Sequence, residues 1–111
     1  MCRRRAPALP IAGGLRYDDC GRFARFSVRV NDGVISDVTF DASMCVTLVA
    51  YCEVAAEWVT GLAIPAAARR VRPLDLMGAL PLVPPDKRER ALLAAQALMA
   101  TVIESAKEQR G

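Results

Sequence analysis

The side chains of this chain best suited to bind a metal are four cysteines, Cys2, Cys20, Cys45 and Cys52, and twelve carboxylates, with no histidine beside them. The absence of imidazole excludes a Ser-His-Asp triad, a Cys-His pair, an imidazole general base and any His metal ligand. Most routes to hydrolytic catalysis are thereby closed. The cysteines are separated by 18, 25 and 7 residues, so none forms the Cys-x-x-Cys spacing of a zinc finger. Metal chemistry would have to run through these thiols and carboxylates.

Length and composition set the context. The 111 residues are 53% apolar and 24% charged, enough for one domain with a real core. The net charge of +3 is mild, and the basic runs Arg3-Arg4-Arg5, Arg69-Arg70-Arg72 and Lys87-Arg88-Arg90 come with only six aromatic residues, so no nucleic acid is expected as a partner. No stretch approaches the roughly 18 uninterrupted apolar residues of a membrane helix. The best run, Met44 to Ala56, is broken by Glu53. The apolar segment Ala6 to Leu15 contains Pro7 and Pro10 and lacks a convincing cleavage site, which argues against a signal peptide. The expected location is cytoplasmic, where thiols stay reduced and read as free, metal-binding or reactive.

The elements that must position these residues follow from periodicity. Residues 1 to about 15 read as a flexible arm. From Phe23, Phe26, Val28 and Val30 alternate with Arg25, Ser27 and Arg29, the pattern of a strand with one buried face. Asn31-Asp32-Gly33 is a tight-turn signal. Val34, Ser36, Val38 and Phe40 then alternate with Ile35, Asp37 and Thr39, completing an antiparallel hairpin; a weaker strand lies near Leu15 to Asp18. After Cys45 the period becomes helical through Val46, Val49, Val54 and Trp58, stopping at Gly61. Short helices follow over Ile64 to Arg70 and Pro73 to Leu80, and a proline-rich loop leads into a long amphipathic helix ending near Lys107. Strands first and helices afterwards predict an α+β domain over 16–107, with a 108–111 tail.

On these elements the cysteines separate. Cys20 sits in Asp18-Asp19-Cys20-Gly21, the loop before the first clear strand, and Cys45 where the hairpin enters the long helix. A thiol at a helix N-terminus is favoured as thiolate by the helix dipole, so Cys45 is expected to be the more acidic one; a small buried hydrophobe is the alternative. Cys52, two helical turns or ~10 Å further on, is too far from Cys45 to share an ion with it at metal–sulfur distances of ~2.3 Å and reads as core. Cys2 falls in the arm.

The order and spacing of these features resemble the IscU/NifU N-terminal family of iron–sulfur cluster scaffolds. Cys20-Gly21 ahead of an alternating strand carries the likeness, as do residues 31–37 (Asn-Asp-Gly-Val-Ile-Ser-Asp) and Phe40 followed five residues later by Cys45. Glu57-Trp58-Val59 before Gly61, and Leu80 to Pro85 leading into the last helix, extend it. The resemblance spans about residues 16–107. It implies a three-stranded antiparallel sheet with helices packed on one face. It also implies a non-enzymatic scaffold that builds a [2Fe–2S] cluster from iron and from sulfur delivered by a cysteine desulfurase, then passes it to acceptor apoproteins. The family's ligands resemble three loop cysteines plus an Asp after the first Cys-Gly, with a His before the third Cys.

Carried over residue by residue, Cys20 and Cys45 fit the first two ligands. The Asp position is Arg22, and alignment on Pro84-Pro85 puts Glu89 at the His and Arg90 at the third Cys. Arginine stays protonated and has no lone pair to donate, so it cannot ligate iron or zinc. Two guanidiniums oppose a further cation but stabilise nearby thiolates. They could also pair with Asp18, Asp19 or Glu89 and replace the metal with an ion-pair network. Three readings follow. The first is a scaffold that binds iron, zinc or a [2Fe–2S] cluster through Cys20 and Cys45, supported by Asp19 or Glu89, with a homodimer able to supply four thiolates. The second is a metal-free module that binds a desulfurase, another assembly partner or an anion. The third, a thiol enzyme or redox sensor at Cys45, is weakened by the missing histidine.

Overall fold

The computed structural model describes residues 9–110. Cys2, Arg3-Arg4-Arg5 and most of the expected arm lie outside the described residues. The hairpin expected from the alternation is the centre of the fold. Strand β3 (Phe23–Asn31) pairs antiparallel with β4 (Val34–Ala42) from Ala24↔Ala42 to Asn31↔Val34. Asp32 and Gly33 turn between them with φ of 53° and 77°. Positive φ at both central positions is the turn whose twist matches the flanking strands, and Asp and Gly adopt it at low cost.

The second strand departs from simple alternation. The register shifts between Arg29 and Val30, which leaves Ser36 as an extra residue in β4. The bulge reverses the pleat, so Ile35 is fully buried while Val34 is exposed. It is stabilised locally: the Ser36 hydroxyl donates to the Arg29 carbonyl at 3.2 Å and accepts from the Asn31 side-chain Nδ2 at 3.0 Å. Past the bulge the two faces separate cleanly. Ala24, Phe26, Val28, Val38, Phe40 and Ala42 point into the core. The outer face carries the cross-strand pairs Arg25–Asp41 and Arg29–Asp37, the latter an ion pair at 3.3 Å.

The sheet has four strands rather than the three expected. β1 (Ile11–Ala12) and β2 (Arg16–Tyr17) both pair antiparallel with β3, and since β4 occupies one edge of β3 throughout, they share the other as an interrupted edge strand. The chain expected to be a free arm is therefore docked from Leu9 onward, where the Leu9 amide donates to Ser27 Oγ at 2.9 Å. At the interruption the Gly13 amide and the Thr101 hydroxyl both donate to the Phe26 carbonyl. A Cβ on Gly13 would meet Thr101 at 2.6 Å, so only glycine lets the strand approach the last helix this closely.

All the helices pack on one face. α1 (Val46–Val59) and α4 (Arg90–Arg110) cover the sheet, with α2 (Ile64–Arg70), α3 (Pro73–Ala79) and a single 3-10 turn over Pro85–Lys87 between them. The core-facing surfaces of α1 and α4 are rich in alanine (Ala55, Ala56, Ala91, Ala94, Ala97), which allows the two helices to lie close together. α1 ends before Gly61 (φ 90°), whose amide donates to the Ile35 carbonyl and so anchors the helix exit to the bulged strand. α4 continues to Arg110, so residues 108–110 of the expected tail are helical. Among the described residues no helix is long and apolar enough to cross a membrane.

Candidate functional site

Two loops and the start of α4 meet at one corner of the molecule. The first loop, Asp18 to Arg22, closes on itself: the Asp18 amide donates to the Arg22 carbonyl at 3.0 Å and the Gly21 amide to the Asp18 carbonyl at 3.1 Å. The carboxylate of Asp18 holds its interior, with Oδ1 accepting from the amides of Cys20 and Arg22 at 2.9 Å each and Oδ2 from Arg22 Nε at 2.6 Å. This compact turn leaves the Cys20 thiol exposed at its tip. Arg22 also reaches out of the loop, placing Nη2 3.6 Å from Glu89 Oε1 at the entrance to α4.

The second loop carries Cys45. Ser43 clamps the end of β4 to the start of β3, accepting from the Phe23 amide through Oγ at 2.8 Å and donating its own amide to the Phe23 carbonyl at 3.0 Å. Cys45 follows as the N-cap of α1, in extended backbone geometry. Burial by itself would raise its thiol, but the Leu48 amide, the Arg90 guanidinium and the Thr47 amide outweigh that, and the net direction is downward. Arg90, the first residue of α4, thus stands against the sulfur of α1. Two of its nitrogens, Nε and Nη1, are buried without an acceptor among the described residues, as is the Tyr51 hydroxyl. Asp18 is also displaced: burial would raise its carboxyl, but the amides of Arg22 and Cys20 and the Arg22 guanidinium bring it below the usual value. Arg22 lies within electrostatic reach of both Cys20 and Cys45.

A cleft of about 380 Å³ opens beside this corner, lined by Cys20, Arg22, Asp19 and Glu89 on one side and Tyr17, Leu92 and Gln96 on the other. The family model for the NifU-like N terminal domain matches residues 5–110. The chain belongs to the NifU-like N-terminal domain family. No curated protein sequence matches it. Among solved structures it resembles a NifU-like protein (N-terminal) from Brucella abortus, with TM-score 0.62, 17% identity, and coverage of 95% of this chain and 84% of that one. It also resembles a proposed iron–sulfur cluster assembly scaffold protein for the SUF system from Fervidobacterium islandicum AW-1, with TM-score 0.63, 17% identity, and coverage of 89% and 84%. At that identity the likeness establishes the shared α+β fold.

In this NifU-like domain, the loop residues singled out in the sequence lie in one neighbourhood. Arg22 couples electrostatically to Cys20 and Cys45, Glu89 faces Arg22, and Arg90 faces Cys45. Cys52 is fully buried in the core, where desolvation pushes its thiol far up. Of the two adjacent aspartates, Asp18 makes the bonds, while Asp19 lines the cleft. The turn chemistry of an Asp followed at two and four residues by inward amides was the available signal for Asp18. Tyr51 carried no signal, because a tyrosine on a core face of α1 looks like any other large apolar residue.

Among the described residues no three Cys, Asp or Glu side chains stand close enough to hold one ion. The described residues of this corner do not form a complete metal cage, because Arg22 and Arg90, which have no lone pair to donate, stand beside the two thiols. The corner is nevertheless not cationic. Asp18 and Glu89 offset Arg22 and Arg90, so the charges of these four side chains nearly cancel.

Proposed function

We propose that this NifU-like domain serves iron–sulfur cluster assembly as a non-catalytic scaffold-type protein in the cytoplasm, taking iron or a [2Fe–2S] cluster as cargo on Cys20 and Cys45. The observation that supports it most directly is the environment of Cys45: a thiol at a helix N-terminus, facing helix amides and a guanidinium, is shifted toward the ionised form that iron requires. Since one chain offers two thiolates, the remaining donors come from outside it, from a second copy or an acceptor apoprotein. The sulfur donor in this reading is a cysteine desulfurase. The test is anaerobic reconstitution with ferrous iron, cysteine and a desulfurase, followed by desalting. A visible charge-transfer band, with about one [2Fe–2S] cluster per two chains, is expected for the wild type and is lost in Cys20→Ser and Cys45→Ser. Wild-type protein that retains neither iron nor zinc overturns the reading.

A second reading is favoured by one feature, the unpaired buried donors of Arg90. Such donors cost about 1–3 kcal/mol each unless something accepts from them, and an anionic group of an assembly partner would do so. In that case the domain binds a desulfurase without metal, and Arg90→Ala weakens the complex in a calorimetric titration while iron content stays at zero.

A further inference from the structure

α4 is apolar on more than its core side. Its inward face is buried through Ala94, Leu98, Thr101, Val102 and Ser105. On the opposite side, residues 92, 96, 99 and 103 follow one another by four, three and four positions, the a/d spacing of a helix–helix seam. They are Leu92, 42% exposed, Gln96, Met99 and Ile103, 50% exposed. A helix lying on a surface does not need a second apolar stripe for its own fold. The stripe runs along a continuous groove: the cleft beside Cys20 ends at Gln96, where a second cavity of about 410 Å³ begins and continues past Met99 and Ile103 to Arg16.

The charges of this groove indicate what covers it. The half beside Leu92 holds three carboxylates, Asp18, Asp19 and Glu89, against one guanidinium, Arg22. The half beside Ile103 holds Arg16 as its only charged lining group among the described residues; Lys107, one turn further along α4, is paired with Glu104 at 3.4 Å. A groove negative at one end and positive at the other complements a second copy of itself turned end for end. Antiparallel pairing would set Leu92 against Ile103 and Gln96 against Met99, and bring Arg16 of each copy toward Asp19 and Glu89 of the other. The two helix dipoles would also oppose each other favourably. A parallel arrangement would bring like charges together.

We propose that the Leu92–Gln96–Met99–Ile103 seam of α4 is the interface of an antiparallel two-fold homodimer. The contact is isologous, so it closes at two copies. Because the groove is continuous with the Cys20 cleft, the dimer also covers Cys20 and shields that thiol, so this is a cargo-free pairing, distinct from one in which a second copy supplies ligands to a cluster.

Sedimentation equilibrium of the wild-type chain tests this alongside three variants, each checked by circular dichroism and thermal melting for an intact fold. Ile103→Glu puts a charge in the seam at a half-exposed position and is expected to weaken the dimer by at least about tenfold. Arg16→Glu and Asp19→Arg each weaken it several-fold, and the combined charge swap restores it to within about threefold of wild type. Alkylation of Cys20 slows as protein concentration rises through the dimer range, and in Ile103→Glu it does not. A wild-type chain that is monomeric at about 0.3 mM overturns the proposal, since specific interfaces are tighter than that. A dimer indifferent to Ile103→Glu, or a charge swap no better than its single changes, overturns it equally.

Discussion

Cys45 and Cys52 lie seven residues apart on the same helix and have opposite chemistry. Cys45 caps the N-terminus of α1, where amide donors and Arg90 favour its thiolate even against partial burial. Cys52, two turns along, is packed inside the core, and desolvation with the nearby Glu53 carboxylate holds it neutral. The residue type is the same, so the difference lies entirely in position. One site has helix amides and a guanidinium to solvate an anion; the other has a desolvating core and a nearby carboxylate that oppose one. Helix ends in this fold are where chemistry is available, and helix middles are where volume is filled.

The sharpest way to break that contrast is by reactivity. In the native protein iodoacetamide should modify Cys45 at least about a thousandfold faster than Cys52, because Cys52 must wait for an opening of the core. Mass spectrometry of timed digests would measure both rates. Equal rates in native buffer would end the comparison, whereas equal rates in urea are expected.

Stability should show the reverse ranking. Cys52→Ser places a hydroxyl in a dry, packed site and is expected to cost about 1–3 kcal/mol. Cys45→Ser, at a cap position that serine fills well, should cost less than about 1 kcal/mol. Urea denaturation of the two variants checks the order.

The smallest effect is in pH dependence, and its sign differs for the two thiols. The usual value for each is 9.0. The native state lowers Cys45, so its contribution to stability is fully present above pH 9.0 and fades as pH falls through the native value. The native state raises Cys52, so its contribution is fully present below pH 9.0 and fades as pH rises beyond it. Against wild type, Cys45→Ala should therefore lose relative stability on going from about pH 7 to pH 10, and Cys52→Ala should gain it. Arg90→Met should shrink the Cys45 slope and leave the Cys52 slope alone. Denaturation midpoints across that range decide the matter.

How far these features could be read beforehand depended on how local they are. The hairpin turn and the helix starting after Cys45 and stopping at Gly61 rest on contacts within a few residues and appear where periodicity placed them, and Cys52 is buried because it falls on the core face of that helix. The bulge at Ser36 was hidden because alternation counted through Val34 continues unbroken in sequence. What reverses it is pairing with β3 and the anchoring of Ile35 by Leu62 and Gly61. The docking of residues 9–14 was hidden for a similar reason, since it depends on the space Gly13 leaves for Thr101, 88 positions away.

The sequence by itself determined the chemical vocabulary of this protein: no imidazole, two cysteines at loop ends, and arginines where two family ligands would be. It also determined the order of strands and helices, because backbone periodicity is a nearest-neighbour property. Only the tertiary structure decided the pairings among residues 18, 22, 45, 89 and 90. It assigned Asp18 rather than Asp19 to Arg22, set Arg90 against the Cys45 sulfur, and so produced a site whose charges nearly cancel. Those partners are brought together by packing the α1 and α4 helices on one sheet face, and no pattern along the chain encodes which of several nearby charges that packing will join.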